Sequence, residues 1–356
     1  MVNSNFIIVK DILVEAVRLG ASDVHFSVGH LPVVRVNYEL VALEGVPVVT
    51  QNLMIDLMET ILDERQKNIL KQKKEIIFAY NVDNNLRFKI SLFYQRGNLS
   101  ATLRYVSANV PTVESLGLSK AISDLASLKK GLVIMAGSFG SGRSSTVAAI
   151  IEEINRNRKE YIVTIEDPIE YIFTNKKSVI EQREVGLDTN SFKDALDYFQ
   201  EEDGDVLYLE KINDPRVIPL VLEIARGSSL VITSISADSV TKSITRILDD
   251  FQSFDQERIR DLLASSLKMV VCQRLLPKIG GGLVAVHEVM PITPSVKSVI
   301  LTGNLTQLDS IIQTGARDGM ISLDRALAEL VKSGKITRKE ALDNCSDVNS
   351  LENLIK

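Results

Sequence analysis

Tryptophan is absent from this 356-residue chain, and aromatic residues make up only 5% of it. Recognition of single strands by stacking bases on aromatic platforms is therefore not expected. A net charge of −5 also points away from nucleic acid as a partner. Cysteine is scarce: Cys272 and Cys345 stand far apart, and neither sits in a C-x-x-C pair. That supports neither a disulfide framework nor a cysteine zinc site, and a reducing cytoplasm is the expected compartment. No apolar run approaches the roughly 20 residues a helix needs to cross a bilayer. The opening "MVNSNFIIVKDILVEAV" carries Asp11 and Glu15 inside a helical apolar period, unlike a signal peptide or a membrane span. Membrane association is expected to go through a partner.

What is present reads as a globular protein, 45% apolar and 24% charged, long enough for two domains. An amphipathic helix over 5–20 precedes strand-like "DVHFSV" and "PVVRVNYELVAL". One or two helices follow in "NLMIDLMETILDERQKNILKQ", then β-rich "EIIFAYNV", "LRFKISLFYQR" and "LSATLRYVS". We assign 1–107 to an α+β domain and 108–117, within "ANVPTVESLGL" with Pro111, to a linker. From 118 to 295, apolar strand-like runs ("GLVIMAG", "YIVTIED", "DVLYLEKI", "SLVITSIS", "LVAVHEVM") alternate with helical ones. That pattern implies an α/β domain with a mostly parallel sheet covered on both faces. Residues 296–356 read as a helical C-terminal region.

"GSFGSGRSST", beginning at Gly137, stands between the strand-like "GLVIMA" and the helix-like "VAAIIEEI". It nearly spells the phosphate loop G-x-x-x-x-G-K-[ST], with Arg143 in the lysine place. Such a turn aims several N–H groups at one spot, and the helix N-terminus adds a positive dipole. Gly137, Ser138, Gly140, Ser141, Gly142, Arg143, Ser144 and Ser145 are the candidate nucleotide-binding residues, Ser144 being placed to offer a hydroxyl to Mg²⁺. On this stretch alone, a glycine turn in an unrelated α/β protein is the alternative. Arginine is wider and fork-shaped where lysine is compact, so the change bears on stabilising charge in the transition state more than on binding.

Downstream stretches carry a family likeness. "VTIEDPIEYIF" (163–173), "QREVGLDTNSFKDAL" (182–196), "QRLLPKIGGGLVAVHEVM" (273–290) and "IQTGARDGMISLD" (312–324), with the N-terminal "GASDVHFSVGHLPVVRVN" and "FYQR", resemble the twitching-motility retraction ATPases of type IV pili, of the PilT and PilU kind. "REVGLDT" looks closer to PilU. The likeness covers nearly the whole chain. It implies a PAS-like N-terminal domain, a RecA-like P-loop core and assembly into a hexameric ring. It further implies a cytoplasmic protein peripheral to the inner membrane, docked on the platform protein at the pilus base. ATP and Mg²⁺ are the implied cofactors if the site is competent. Arg96 and Arg104 fall where the family's phosphate-neutralising arginines are expected, and Lys89 where another arginine is usual. For Arg104 a solvated strand residue is the alternative.

The sequence departs from the family's catalytic pattern at several places. The second acidic strand motif, D-V-[apolar]₃-G-E-[apolar]-R-D in outline, here reads "DVLYLEKIND". Glu210 takes the glycine place, Lys211 the catalytic glutamate place and Asn213 the arginine place. A charged lysine accepts no proton and repels Mg²⁺. A local bulge bringing Glu210 to the site is the rescue, against the alternation of a regular strand. The family's two histidines are Ser229 and Ser236, and an upstream arginine is Glu201. Of the acidic box "TIEDPIEY", Glu166, Asp167 and Glu170 remain. Glu166 is the one catalytic-type carboxylate left, or a remnant without a partner.

Two readings follow. Either the chain is a subunit with lost or impaired hydrolysis, joining a homo-hexamer or a mixed ring with an active retraction ATPase. Or it is an Mg²⁺-dependent ATPase powering retraction with Arg143, Glu166 and Glu210.

Overall fold

The computed structural model describes residues 4–37, 39–83, 86–107, 109–212 and 214–356, and the architecture below is that of these residues. The chain divides into two compact units: Met1–Asn109 with Pro168–Ile172, and Val110–Asp167 with Phe173–Lys356.

In the first unit, α1 (Ser4–Arg18) leads to strands β1 (Asp23–Ser27), β2 (Val33–Val36) and β3 (Glu39–Ala42). The run "PVVRVNYELVAL" is thus a hairpin, Val36 pairing with Glu39 and Asn37 turning the chain at φ +48°. Two helices follow, α2 (Gln51–Ile61) and α3 (Glu64–Lys73). They separate where Asp63 caps α3 in a reciprocal box with Gln66, which satisfies orphan amides at the helix start. β4 (Glu75–Asp83), β5 (Leu86–Gln95) and β6 (Asn98–Ser107) complete a six-stranded antiparallel sheet, order β3-β2-β1-β6-β5-β4. The apolar stripes of α1 and α2 pack with Phe26, Phe88 and Leu103 of the sheet into one core.

The second unit begins with the short α4 (Lys120–Ser123), then β7 (Gly131–Ala136), α5 (Arg143–Asn157), β8 (Tyr161–Glu166), β9 (Val179–Glu184), α6 (Phe192–Phe199) and β10 (Val206–Leu209). α7 (Ile218–Arg226), β11 (Leu230–Ile235), α8 (Val240–Asp249), α9 (Ser253–Ser266), β12 (Leu267–Pro277) and β13 (Leu283–Pro291) follow. Five helices close the chain: α10 (Pro294–Thr302), α11 (Gln307–Thr314), α12 (Leu323–Lys332), α13 (Arg338–Asn344) and α14 (Val348–Ile355). The seven-stranded sheet runs β13-β12-β7-β11-β10-β8-β9, parallel except for the β12–β13 hairpin.

Both faces of this sheet are buried, as the continuous apolar strands require. Along β7, Leu132, Ile134 and Ala136 join the core under α7, α8 and α9. Val133 and Met135 join the opposite core under α5. β7 also marks where the chain changes direction: β8, β10 and β11 lie to one side of it, β12 and β13 to the other. Ligand crevices of open α/β sheets form at the carboxyl ends of strands at such a switch point.

Candidate phosphate site and its surroundings

The glycine-rich loop leaves β7 at that switch point. Ser138, Phe139 and Gly140 are exposed, Ser141 is buried, and Arg143, Ser144 and Ser145 open α5 half-buried. Gly142 is the N-cap of α5 in the left-handed region, φ +83°. A β-carbon there would be both strained and 2.9 Å from Gln273 Nε2. Ser141 donates its N–H to Ser138, closing the turn. The α5 dipole and the loop amides give a cradle that fits a phosphate group. Arg143 Nη1 donates to the Ile235 carbonyl at 2.6 Å, at the carboxyl end of the neighbouring strand β11. Ser236 follows directly, exposed, its carbonyl accepting from Arg246 at 2.6 Å.

Glu166 ends β8. It is 6% exposed, and its Oε1 accepts from the Thr164 hydroxyl at 2.7 Å and from Gln182 Nε2 at 3.2 Å. Thr164 and Glu166 share a face because strand residues two apart point the same way. Neither donor was singled out in the sequence. Gln182 lies inside the "QREVGLDT" stretch, and its contact with Glu166 follows from β8–β9 pairing.

β10 stops at Leu209, one residue before the acidic motif's chemistry. Freed from strand alternation, the adjacent Glu210 and Lys211 converge on one residue. Glu210 Oε2 accepts from the Asp167 N–H at 2.5 Å, and Lys211 Nζ lies 3.0 Å from Asp167 Oδ2. Lys211 also stands 5.5 Å above the Phe192 ring. A hydroxyl at Ser144 suits Mg²⁺ chemistry. The Asp167 carboxylate, however, is held by an ammonium in the lysine's own chain. Asn213 lies outside the described residues.

Two of the sequence candidates sit at the other end of the sheet. Ser229 precedes β11 and donates to the Gly204 carbonyl at 2.7 Å. Glu201 is exposed in the turn before β10. Strands of this length put these amino-terminal ends roughly 20 Å from the phosphate loop's edge of the sheet. The geometry therefore brings together Arg143, Ser236, Glu166, Glu210 and Lys211 along one edge, and leaves Ser229 and Glu201 at the opposite one.

In the N-terminal unit, Arg96 and Gly97 form the two-residue turn between β5 and β6 with φ +50° and +81°. Positive φ at both positions is the turn type that matches strand twist. Arg104 Nε pairs with the buried Asp23 at 2.9 Å. Lys89 pairs with Glu170 at 3.0 Å, and Arg87 donates to the Ile169 and Glu170 carbonyls. The acidic box is thereby divided: Glu166 and Asp167 belong to the parallel-sheet unit, while Glu170 is bound into the other.

A mostly parallel sheet with a glycine-rich strand-to-helix loop at its switch point, in a chain that also carries an antiparallel α+β unit, defines a P-loop protein with a RecA-like core. The family profile described as Type II/IV secretion system protein matches residues 3–281. Over 94% of its length the chain is 34% identical to the type IV pilus retraction ATPase PilT of Pseudomonas aeruginosa, covering 96% of PilT. It is 31% identical to the type IV pilus ATPase PilU of the same organism, over 96% of this chain and 89% of PilU. The solved structure of the pilus retraction motor PilT with bound ADP superposes with a TM-score of 0.84 at 34% identity, covering 96% of this chain and 98% of that one. The chain belongs to the type II/IV secretion system protein family, as a PilT/PilU-like member.

Proposed function

We propose that this chain is a type IV pilus retraction motor subunit that binds nucleotide at the Gly137–Ser145 loop but hydrolyses it poorly or not at all. It acts as an accessory or regulatory component of a hexameric ring, alone or mixed with an active retraction ATPase, docked on the pilus platform at the inner membrane. The observation that carries this reading is the Lys211–Asp167 ion pair at 3.0 Å. The residue in the place of the catalytic glutamate is a cation already engaged by the acidic box. Beside it, Glu210 faces the Asp167 amide. When bound, Mg²⁺ supplies charge neutralisation to the phosphates. Here Ser144 would contact it, and the Gly137–Gly142 amides would orient the phosphates. Arg143 is drawn toward Ile235, off the line a lysine would take along the loop. Losing one positioned base removes about 10²- to 10⁴-fold in rate, and groups that act as a unit fail together.

A second reading has one observation behind it. Glu166 is buried and oriented by Thr164 and Gln182, as a working carboxylate would be. In that case the chain is a slow Mg²⁺-dependent ATPase. Steady-state phosphate release from ATP by the isolated chain separates the two. The first reading expects turnover at background. Turnover that Glu166→Gln abolishes establishes the second and removes the first.

A further inference from the structure

Gln273, on β12, is 1% exposed and stands directly behind the phosphate loop. Its carboxamide makes three hydrogen bonds. Nε2 donates to the Ser141 carbonyl at 2.7 Å, and Oε1 accepts from the Thr146 hydroxyl at 2.8 Å and from His287 Nε2 at 2.9 Å. A carbonyl only accepts, so the edge facing Ser141 is the NH₂ edge and the imidazole carries its proton on Nε2. Burial holds His287 neutral, its pKa pushed down to about 4.

The same residue also meets the loop's first glycine. A β-carbon at Gly137 would lie 2.6 Å from the main-chain carbonyl oxygen of Gln273, and one at Gly142 2.9 Å from its side-chain Nε2. Gln273 therefore borders both ends of the loop, its main chain at Gly137 and its carboxamide at Gly142, and through Thr146 the carboxamide ties the first turn of α5 to the same point.

We propose that Gln273 is a positioning residue of the phosphate loop and that His287 fixes the orientation of its carboxamide. The reason is peptide geometry. In a trans peptide the C=O and N–H point in opposite directions. Holding the Ser141 carbonyl inward on Gln273 turns the Gly142 N–H outward, toward the side where a phosphate would sit. The functional consequence rests on the nucleotide-binding reading above; the geometric claim does not.

The test uses the full-length protein with two readouts, hydrogen exchange of the Gly142–Thr146 amides without nucleotide and titration with a fluorescent ADP analogue. Gln273→Met keeps length and apolar contact but loses the amide. Its expected effect is about tenfold faster exchange in this segment and about tenfold weaker ADP binding, the scale of one lost hydrogen bond. His287→Gln keeps an N–H donor and should stay within about twofold of the parent, whereas His287→Phe should follow Gln273→Met. Leu276→Ala, a core truncation on the same strand, controls for general destabilisation. Unchanged exchange in Gln273→Met overturns the proposal, as does equal loosening of the loop in Leu276→Ala. If the parent binds no ADP, the nucleotide reading fails and the exchange data alone decide the positioning claim.

Discussion

Lys211 shows how one residue changes what a conserved-looking edge can do. It brings a positive charge beside the acidic box, and Asp167 answers it across 3.0 Å. The pair is 35% and 43% exposed, so its contribution to stability is small. Lys211→Ala is expected to change unfolding free energy by less than about 1 kcal/mol, measured by urea denaturation. A loss of several kcal/mol would mean the pair is a structural centre. His287 behaves oppositely. Its folded pKa, about 4, lies below the ordinary value of 6.5 because burial penalises the imidazolium. The unfolded chain therefore binds the proton first as pH falls. Stability is fully present above about pH 6.5 and declines towards pH 4, by roughly 3 kcal/mol from this group. His287→Gln should flatten that part of the pH–stability curve; an unchanged slope in the variant would show that other groups carry it.

Among the elements, β11 separates structure from chemistry within one sequence motif. At its start Ser229 caps the Gly204 carbonyl from a buried position. At its end Ile235 borders the phosphate loop through Arg143, and Ser236 accepts from Arg246 of α8. Ser229→Ala should cost about 1–3 kcal/mol by leaving that buried carbonyl unpaired. It should leave nucleotide affinity unchanged; a fall in affinity without a fall in stability would place Ser229 in the binding machinery. The alternation of apolar strands and helices, and the loop between β7 and α5, were legible in the sequence because periodicity and glycine spacing are local signals. The end of β10 was not, since "LYLEKI" stays apolar enough to read as strand, and what stops it is the turn of Glu210 and Lys211 onto Asp167. Gln273 was illegible for another reason. Its bond to Ser141 spans 132 positions, and no local pattern reports which strand will lie behind a loop. The "PVVRVNYELVAL" run likewise hid a turn at Asn37, where a left-handed residue splits it.

For the molecule as a whole, two units with separate cores share a chain that passes between them more than once, since Pro168–Ile172 is lodged in the first unit directly after Glu166 and Asp167. Arg87 and Lys89 hold that short segment, so the residues next to the candidate carboxylates are bound on the N-terminal unit's side. Among the described residues no helix is long and apolar enough to cross a membrane. The account centres on a subunit that joins a motor without driving it. The most direct test is phosphate release by an active type IV pilus retraction ATPase from the same cell, titrated with this chain. The account predicts background turnover for the chain alone, with a saturable change in the partner's rate near ring stoichiometry. A partner rate that never moves, with clear turnover by this chain alone that Glu166→Gln abolishes, would contradict it.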